Sequence, residues 1–487
     1  MTCKSKLINA HLENAKPVLV VDLDNCLVRA EVLFETFDST YGHNWKSFFL
    51  SLTSFLRGRA TLTQKLANLS AIDVSALPYD LKVIALIREW RESGGRTALI
   101  TTSDSQIAEA VAQYFDLFDE VHGSDEALHL RGTNKAEFLV SRFGDAGFVY
   151  VGNHADDVAV WKQSAKAITV NASPSLRRDV ELHCRKVEHL ETKRTATYVE
   201  YLREMRPHQW LKNTLVFLPM LASHRLDAPV IFSSLLAFLC FSLIASSVYI
   251  LNDLHDLSAD RAHPRKRRRP IAAGEISIGN GLYMATGLLA LGAILSSTLG
   301  LSFVLIIVGY YTLTLAYSLE LKKRIVVDIF VLASLYTIRM VAGGAATGIH
   351  LSLWLLAFSV FFFLALAAVK RQAELIDSAK RGHLKANGRG YHVDDLPIIS
   401  MIAISAGYGS VLVMMMYVNS PEVLKLYAHP EALWGVCVVL FYWITRTVMI
   451  AHRGEMNDDP VVFAAKDRVS LVCLLITLGI ILTGSFA

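Results

Sequence analysis

Charged residues are scarce in this chain of 487 residues. Asp, Glu, Lys and Arg make up 19% of the sequence and hydrophobic residues make up 53%, whereas soluble domains contain about 25% charged residues. The six cysteines show no CxxC or Cys/His spacing, which argues against a zinc site and favours reduced thiols. This composition excludes a disordered chain, a disulfide scaffold and a protein that is soluble throughout.

A large excess of charge of either sign is also missing. The 48 basic and 44 acidic residues leave a net charge of +4, which by itself gives no reason to expect nucleic acid as a partner. The first 16 residues contain no apolar core of the kind that a signal peptide needs, about 7–15 residues long. We therefore expect the beginning of the chain to stay in the cytosol.

The first 170 residues are predicted to form an α/β domain with a parallel sheet, because apolar runs alternate with polar or helical sequence. Strands are predicted at 16–24, 96–103 and 148–152. The segment 31–92 has apolar residues at helical spacing and predicts a small helical cap over the sheet. Residues 171–205 are charged and helical in pattern, and are predicted to be a linker.

From residue 206 onward, apolar segments long enough to cross a bilayer follow one another. Nine spans are predicted, counting the uncharged run at 276–319 as two and the short segment 211–224 as the first. The loops on one side hold 18 Lys and Arg residues, and those on the other hold only Arg225 and Lys425, which places the first set in the cytosol. An odd number of spans then puts the C-terminus outside, and we expect the protein in the inner membrane of a bacterium.

The second predicted span ends in a cluster of acidic residues. On a continuous helix Asn252, Asp256 and Asp260 would lie at i, i+4 and i+8 on one face, with Asp253 at its edge. Carboxylates this close repel each other unless a cation neutralises them, and Mg²⁺ commonly links one or two carboxylates to the phosphates of a substrate. Asp253, Asp256 and Asp260 are therefore predicted metal ligands. The alternative is a solvated acidic helix end.

A run of basic residues follows this cluster at 261–270. Cationic side chains beside a metal are what a diphosphate requires, so Arg265, Lys266 and Arg269 are predicted to bind substrate phosphate. The alternative is that the run only fixes the membrane orientation or holds anionic lipid.

The stretch 252–276 resembles the first aspartate-rich motif of the UbiA superfamily of intramembrane prenyltransferases, and the resemblance covers about residues 203–487. It implies an all-α bundle of nine transmembrane helices that uses Mg²⁺ to expel diphosphate, with Asp256 and Asp260 in catalysis and Asn252 at the substrate. Further segments look like the decaprenyl-phosphate phosphoribosyltransferase branch: 206–213, 266–274, 317–322 and 339–344. That branch transfers 5-phosphoribosyl from phosphoribosyl diphosphate to a polyprenyl phosphate, so the resemblance implies a lipid acceptor and a phosphorylated sugar donor.

Aromatic prenyltransferases of this family carry a second aspartate-rich motif after the sixth span, where this chain has Lys370 and Arg371. Basic residues suit a further phosphate, so both are predicted, with Lys322, to bind substrate. Asp328 and Arg339 lie inside an apolar span, where an ionisable residue is by default a functional candidate. They are predicted to face one substrate cavity without pairing directly. The alternative is that another helix neutralises each of them.

Carboxylates that follow the eighth predicted span, Asp458, Asp459 and Asp467, are predicted to bind ribose hydroxyls or a second metal. Two other functions stay open. One is transfer of a polyprenyl group from its diphosphate to an aromatic or other small acceptor, and the other is a transporter or lipid-binding protein with a phosphatase-like sensor domain. The oligomeric state is open as well.

The first predicted strand ends in Asp22 and Asp24, a pair of carboxylates at the carboxyl edge of the sheet, where α/β folds bind ligands. With Thr101, Lys135 and Asp157 downstream, the pair resembles the haloacid dehalogenase superfamily over about residues 17–165. The resemblance implies Asp22 as nucleophile and metal ligand, and Asp24 as general acid and base. It also implies Thr101 and Lys135 as phosphate ligands and Asp157 as a ligand of Mg²⁺.

Asn153 departs from this pattern, because the haloacid dehalogenase superfamily has an Asp at the corresponding position. The loss of one anionic ligand weakens the expected Mg²⁺ site, and it leaves an active phosphatase and a regulatory domain as alternatives. A phosphoribosyl lipid keeps a 5-phosphate. A phosphatase fused to the enzyme that makes such a lipid would therefore be expected to remove that phosphate.

Overall fold

The structure is a computed structural model that describes residues 16–29, 74–124, 130–192, 197–263, 266–385, 389–456 and 459–486. The chain divides into two units, residues 1–204 with 251–282 and residues 205–250 with 283–487. Residues 31–73 of the predicted cap, Arg265 and Asp458 lie outside the described residues.

The first unit contains a six-stranded sheet in which all neighbouring strands are parallel. Its strands are β1 (Val18–Asp22), β2 (Thr97–Asp104), β3 (Glu120–Ser124), β4 (Phe148–Gly152), β5 (Lys166–Val170) and β6 (Val187–Leu190). They lie in the order β3-β2-β1-β4-β5-β6. Leu19 and Val21 join a core on one face, and Val18 and Val20 join a core on the other, because successive side chains of a strand alternate between faces. The predicted parallel α/β class is confirmed.

Six helices accompany the sheet: α1 (Leu81–Glu92), α2 (Ser105–Phe115), α3 (Thr133–Phe143), α4 (Val158–Gln163), α5 (Pro174–His183) and α6 (Tyr198–Glu204). The carboxylate of Asp80 caps α1 by accepting hydrogen bonds from the first backbone N–H groups of that helix. Val83 and Ile87 of α1 pack in the same core as Leu19 and Val21. The described end of the predicted cap therefore belongs to the sheet domain.

The structure corrects the predicted domain boundary at residue 170. β6 pairs in parallel with β5, from Ala167 opposite Val187 to Val170 opposite Leu190, and Val180 of α5 is buried in a core of the sheet. A four-residue strand, VEHL, is too short to show a clear alternation of apolar residues, and its pairing with β5 is what makes it a strand. The predicted linker thus contributes its first 20 residues to the α/β domain.

The remaining helices are α7 (Leu218–Ala222), α8 (Ala228–His255), α9 (Leu257–Ala262), α10 (Ile278–Ser297), α11 (Leu301–Leu319), α12 (Val327–Thr347), α13 (Leu353–Lys380), α14 (Leu396–Val418), α15 (Pro421–Leu426), α16 (Trp434–Arg453), α17 (Pro460–Lys466) and α18 (Arg468–Phe486). Among the described residues, eight helices are long and apolar enough to cross a membrane: α8, α10 to α14, α16 and α18. Large apolar side chains such as Leu305, Val438 and Leu475 are exposed on them, as lipid-facing helices require. The protein is an integral membrane protein.

The predicted first span at 211–224 is not one long α-helix. A 3₁₀-helix, Pro207–Phe217, runs into the short helix α7, and this segment is not among the eight candidate spans. With a rise of about 2.0 Å per residue in the 3₁₀ part and about 1.5 Å in α7, the two parts together are about 30 Å long, close to the thickness of a bilayer core. The side of the C-terminus depends on this segment, so its location outside stays a prediction.

Within the first unit, the loop after α9 packs against the sheet domain. Gly274 has a φ of +69°, and a Cβ there would lie 3.3 Å from the Cβ of Arg29 and 3.4 Å from its carbonyl oxygen. Arg29 is held in turn, because its Nε donates to Asp80 Oδ2 at 3.1 Å and its backbone N–H donates to Pro78 O at 2.8 Å. Glycine suits both the backbone angle and the close approach.

Candidate functional sites

Asp22 lies at the carboxyl end of β1, where the strand order of the sheet reverses between β1 and its neighbours β2 and β4. Open α/β sheets bind ligands at this switch point. The carboxylate is buried and accepts a hydrogen bond from Lys135 Nζ at 3.0 Å. The structure thus brings together two predicted residues that are 113 positions apart in sequence.

Tyr150 belongs to this site and was missed by the sequence prediction. Its hydroxyl lies 3.1 Å from Asp22 Oδ2 and 3.0 Å from Asp157 Oδ1, and it accepts from Lys135 Nζ at 3.0 Å. Burial, followed by the charges of Asp157 and Asp22, raises the pKa of Tyr150 well above its ordinary value, so the hydroxyl keeps its proton. In the sequence it is one residue of an apolar strand, and only its hydroxyl distinguishes it.

Asp157 and Asn153 also lie at this edge of the sheet. Asp157 Oδ2 accepts from the backbone N–H groups of Asn153 at 3.1 Å and His154 at 2.9 Å. The side-chain amide of Asn153 donates to the backbone oxygen of Asn25 at 3.3 Å. A carboxylate cannot donate a hydrogen bond when it is ionised, so this contact is specific to the Asn that departs from the family pattern.

The predicted general acid and base, Asp24, accepts from the hydroxyl of Thr101 at 2.8 Å. Burial raises the pKa of Asp22 to about 7, although Lys135 opposes this shift. Three carboxylates, those of Asp22, Asp24 and Asp157, thus share the site with the ammonium of Lys135. The excess of negative charge suits a bound cation.

The second acidic motif begins at the end of α8, and the helix breaks there. Asp256 lies between His255, the last residue of α8, and Leu257, the first of α9. Backbone bonds of 2.8 Å from Asp256 N to Asn252 O and from Asp260 N to Asp256 O keep the helical spacing across the break. The helix is therefore not continuous at Asp256, but the spacing of four residues that a continuous helix would give is retained.

One guanidinium joins two of the predicted metal ligands. Arg269 Nη1 lies 2.8 Å from Asp253 Oδ1 and also contacts Asp260 Oδ2. Lys266 Nζ lies 3.4 Å from Asp260 Oδ1. Burial raises the pKa of Asp260, and Arg269 and Lys266 oppose that shift. The carboxylates of Asp253 and Asp260 therefore converge on the guanidinium of Arg269, with Lys266 beside them. The other predicted ligands Asn252, Asp256 and Lys322 are half-buried.

Both acidic sites suit a Mg²⁺ ion that is shared with a phosphate. In the part of the chain that the structure describes, no three Asp, Glu, His or Cys side chains are grouped so that they could hold a metal ion by themselves. Carboxylates nevertheless converge at each site, and one buried oxygen of each, Asp22 Oδ1 and Asp260 Oδ1, accepts no hydrogen bond from the described residues. Mg²⁺ is commonly bound by one or two carboxylates, with water and substrate phosphates as its other ligands, so these donor sets fit it.

A closed network of buried charges lies in the second unit, and we call it the balanced cluster: Asp328, Glu374, Arg371 and Arg389, with Tyr317. Arg371 Nη2 lies 2.7 Å from Asp328 Oδ2, and both side chains are fully buried. Arg389 Nη1 at 3.0 Å and the Tyr317 hydroxyl at 2.8 Å donate to Asp328 Oδ1, and Arg371 contacts Glu374. Two carboxylates and two guanidiniums cancel, so the predicted substrate ligands Asp328 and Arg371 neutralise each other.

Lys370, the sequence neighbour of Arg371, belongs to another network. Its Nζ lies 3.0 Å from Asp459 Oδ2, and Lys212 Nζ lies 2.9 Å from the same oxygen. The hydroxyl of Tyr336 donates to Asp459 Oδ1 at 2.9 Å. Burial opposes ionisation of Asp459, but the two lysines outweigh it and lower the pKa of Asp459. Lys212 had no predicted role, although it lies in the segment 206–213 that carried the family resemblance.

Arg339, which lies on α12, is 4% exposed. Its Nε donates to Asn213 Oδ1 at 2.9 Å and its Nη2 donates to the Tyr310 hydroxyl at 3.0 Å. Its guanidinium carbon lies 5.8 Å from the centre of the Tyr336 ring, and Lys212 Nζ lies 5.9 Å from the same ring. We call Lys212, Lys370, Arg339, Asp459 and Tyr336 the cationic cluster. Asp328 and Arg339 have different partners, as expected.

Asp467 differs from its predicted role at the substrate. Arg446 donates two hydrogen bonds to the carboxylate of Asp467, of 2.6 and 3.1 Å. Asp467 Oδ2 also accepts from the backbone N–H of Ser470, in the first turn of α18, at 2.8 Å. The carboxylate therefore caps a helix.

Known proteins resemble this chain over one or both of its units. The model of the UbiA prenyltransferase family matches residues 214–448. The uncharacterized protein y4nM of Sinorhizobium fredii is 33% identical over 467 residues, which cover 96% of this chain and 90% of that protein. Decaprenyl-phosphate phosphoribosyltransferase of Mycolicibacterium smegmatis is 33% identical over 290 residues, 58% of this chain and 90% of that enzyme. A UbiA homologue from Archaeoglobus fulgidus, solved with GPP and Mg²⁺, has a TM-score of 0.46 and 16% identity, covering 58% of this chain and 99% of that one.

Proposed function

This chain belongs to the UbiA prenyltransferase family of membrane transferases, and within that family we propose that it transfers 5-phosphoribosyl from phosphoribosyl diphosphate to a polyprenyl phosphate of the decaprenyl type, releasing diphosphate. One observation carries the proposal. At the position where aromatic prenyltransferases of the family carry a second acidic motif, this chain has Lys370, which shares the carboxylate of Asp459 with Lys212. Cations at this place favour substrates that bring more than one phosphate, and the named relative from Mycolicibacterium smegmatis supports the same choice.

In this reaction an oxygen of the lipid phosphate attacks C1 of the ribose. The new C1–O bond forms while the bond from C1 to the diphosphate oxygen breaks, and diphosphate leaves with that electron pair. The attacking phosphate is already an anion, so no side chain has to remove a proton from it. The protein has to stabilise the charge that develops on the leaving diphosphate.

Asp253, Asp256 and Asp260 would hold Mg²⁺, which supplies Lewis-acid stabilisation of the leaving group when it is bound. Arg269 forms ion pairs with Asp253 and Asp260 in the structure, and in the reaction it binds diphosphate oxygens through its fork of N–H donors. In the first unit the proposed ligands of the diphosphate are Asn252, Arg265, Lys266 and Arg269. In the second unit Lys322 is proposed to bind substrate.

We propose a second activity for the sheet domain, the hydrolysis of the 5-phosphate that the lipid product keeps. Asp22 attacks phosphorus, Asp24 gives a proton to the leaving ribose oxygen, and water then hydrolyses the aspartyl phosphate. Thr101 and Lys135 bind the phosphate, and Asp22 with Asp157 would hold Mg²⁺. Both sites are proposed to lie on the cytosolic side of a bacterial inner membrane.

A label-transfer assay tests the first activity. Membranes that contain the full chain, given labelled phosphoribosyl diphosphate, decaprenyl phosphate and Mg²⁺, should pass label into the lipid phase. Asp256→Asn should lower the rate by about 100-fold, EDTA should abolish it, and Asp394→Asn, at an exposed carboxylate, should leave it unchanged. No label in the lipid phase from phosphoribosyl diphosphate, together with transfer of a prenyl group from a polyprenyl diphosphate to a small aromatic acceptor, would replace the proposal with prenyl transfer.

The second activity is tested in the same full chain. The wild type should convert the phosphoribosyl lipid to a ribosyl lipid and inorganic phosphate, whereas Asp22→Asn should accumulate the phosphorylated lipid. Asp145→Asn, at an exposed position of the same domain, is the matched control. A wild-type product that keeps its 5-phosphate in the presence of Mg²⁺ would refute the phosphatase and leave a regulatory domain.

A further inference from the structure

The buried charges of the second unit do not balance. The balanced cluster has two carboxylates and two guanidiniums, whereas the cationic cluster has the three cations Lys212, Lys370 and Arg339 and the single carboxylate of Asp459. Among the described residues of the two clusters, five cations therefore face three carboxylates. Glu374, which also acts on Lys370 from the balanced cluster, is already one of those three.

The surroundings of Arg339 add hydrogen bonds but no negative charge. Asn213, the Tyr310 hydroxyl and the backbone oxygen of Leu335 accept from its guanidinium, and among the described residues no carboxylate forms an ion pair with it. The side chains of Lys212 and Asp459 are only 10% and 7% exposed, and that of Lys370 is 25% exposed. A buried charge without a counter-charge is costly in a protein interior and more so in a membrane, so an excess of two positive charges indicates a ligand that is an anion.

We propose that Lys212, Lys370 and Arg339 bind a phosphate monoester in its dianionic form. This inference rests on the proposed function, in which the sugar donor carries a 5-phosphate and the acceptor carries a lipid phosphate. Both are monoesters, and neither is the diphosphate that the motif at Asp253–Asp260 takes. A dianion would offset the excess charge of the cationic cluster.

Asp459 is a positioning residue of this site. One of its oxygens holds both lysine ammonium groups. Each ammonium has three N–H donors, so within the part of the chain that the structure describes two donors of each lysine are left for a ligand. Tyr336 donates to the other carboxylate oxygen and keeps it from turning. Arg371 is not part of the site, because its partners are the carboxylates of the balanced cluster.

Binding of simple phosphate monoesters to the full chain in detergent tests the site. The probes are ribose 5-phosphate for the donor and farnesyl phosphate for the lipid, both in EDTA so that the acidic motifs hold no metal. Lys370→Gln and Lys212→Gln should each weaken the binding of a probe by about 10-fold or more, the usual effect of losing a charge-assisted hydrogen bond. Lys370→Arg should retain most of the affinity.

Lys380→Gln is the matched control, because Lys380 lies on the same helix and donates to the backbone oxygens of Arg453 and Gly454. It should bind both probes as the wild type does. The thermal midpoint of each variant shows whether it is folded, and Lys370→Arg keeps the test valid if Lys370→Gln unfolds. Loss confined to ribose 5-phosphate assigns the site to the donor, and loss confined to farnesyl phosphate assigns it to the lipid.

Two results would overturn the site: a wild type that binds neither probe, or lysine variants that bind both probes as tightly as the wild type. The outcomes also separate this inference from the proposed reaction. Lysine-dependent binding without phosphoribosyl transfer would refute the reaction and keep the site, whereas transfer with lysine-independent binding would refute only the site.

Discussion

Lys370 and Arg371 follow each other on α13, yet their charges have different surroundings. Arg371 contacts Asp328 and Glu374 in a network whose charges cancel, whereas Lys370 shares a single carboxylate with Lys212. Neighbouring residues on an α-helix point about 100° apart, so two basic residues in one motif can serve two different networks. The charge balance around a buried side chain therefore distinguishes a structural ion pair from a candidate binding site better than residue type does.

Removal of a charge from each network should separate them most clearly. Among the described residues, Arg371→Gln leaves the fully buried Asp328 with Arg389 as its only cation, and it should lower the free energy of unfolding by about 3–5 kcal/mol, the cost of breaking a buried ion pair. Lys370→Gln should lower the free energy of unfolding by less than Arg371→Gln does, because it removes a charge that is in excess and leaves Asp459 paired with Lys212. Denaturation in detergent measures both, and equal losses would show that the networks do not differ in charge balance.

A double variant sharpens the same comparison. Asp328→Asn together with Arg371→Gln removes one charge of each sign, so its loss of stability should be smaller than the sum of the two single losses by about 2 kcal/mol. Asp328→Asn with Lys370→Gln, which joins residues of different clusters, should be additive within about 0.5 kcal/mol. Additivity in both pairs would contradict a closed network around Asp328.

The smallest effect is expected from the two tyrosines. Tyr317→Phe removes a hydrogen bond to Asp328 and should cost about 1 kcal/mol of stability without changing transfer kinetics. Tyr336→Phe removes a hydrogen bond to Asp459 and should raise KM by about 3-fold to 10-fold, with a similar kcat, for whichever substrate places its phosphate monoester at the cationic cluster, phosphoribosyl diphosphate or polyprenyl phosphate. Unfolding curves and steady-state kinetics of both variants give the readout, and a reversed pattern would exchange the roles of the clusters.

Much of the fold could be predicted from the sequence because its signals are local. A helix needs about 20 predominantly apolar residues to cross a bilayer, and each of the eight long helices coincides with such an apolar segment of the sequence. The buried strands β1, β2 and β4 are apolar runs of the same local kind. β6 has no such signal, and Pro219 with the 3₁₀ geometry before it made the segment at 211–224 ambiguous.

The partners of the polar side chains could not be predicted, because distant parts of the chain supply them. Lys212 and Asp459 are 247 positions apart, and Asp22 and Tyr150 are 128 apart. Motif spacing predicted the carboxylates at Asp253 and Asp260, because the backbone keeps the spacing of four residues across the break at Asp256. It could not show that Arg269 already joins those carboxylates, nor that a strand tyrosine reaches the nucleophile.

The close packing of Gly274 against Arg29 bears on how the chain could be divided. A cut at residue 205 would divide the chain into a sheet-domain fragment and a membrane fragment. The segment 251–282, which belongs to the first unit, would then lose the surface of the sheet domain on which it packs. The two fragments would thus lose the contact between the sheet domain and segment 251–282. The acidic motif of the transferase, Asn252 to Asp260, lies in that segment. A larger side chain at position 274 would strain this contact without cutting the chain, because its Cβ would lie 3.3 Å from the Cβ of Arg29 at a φ of +69°. The two structural units of this chain therefore do not coincide with the two halves that its sequence motifs indicate, because residues 251–282 belong to the first unit.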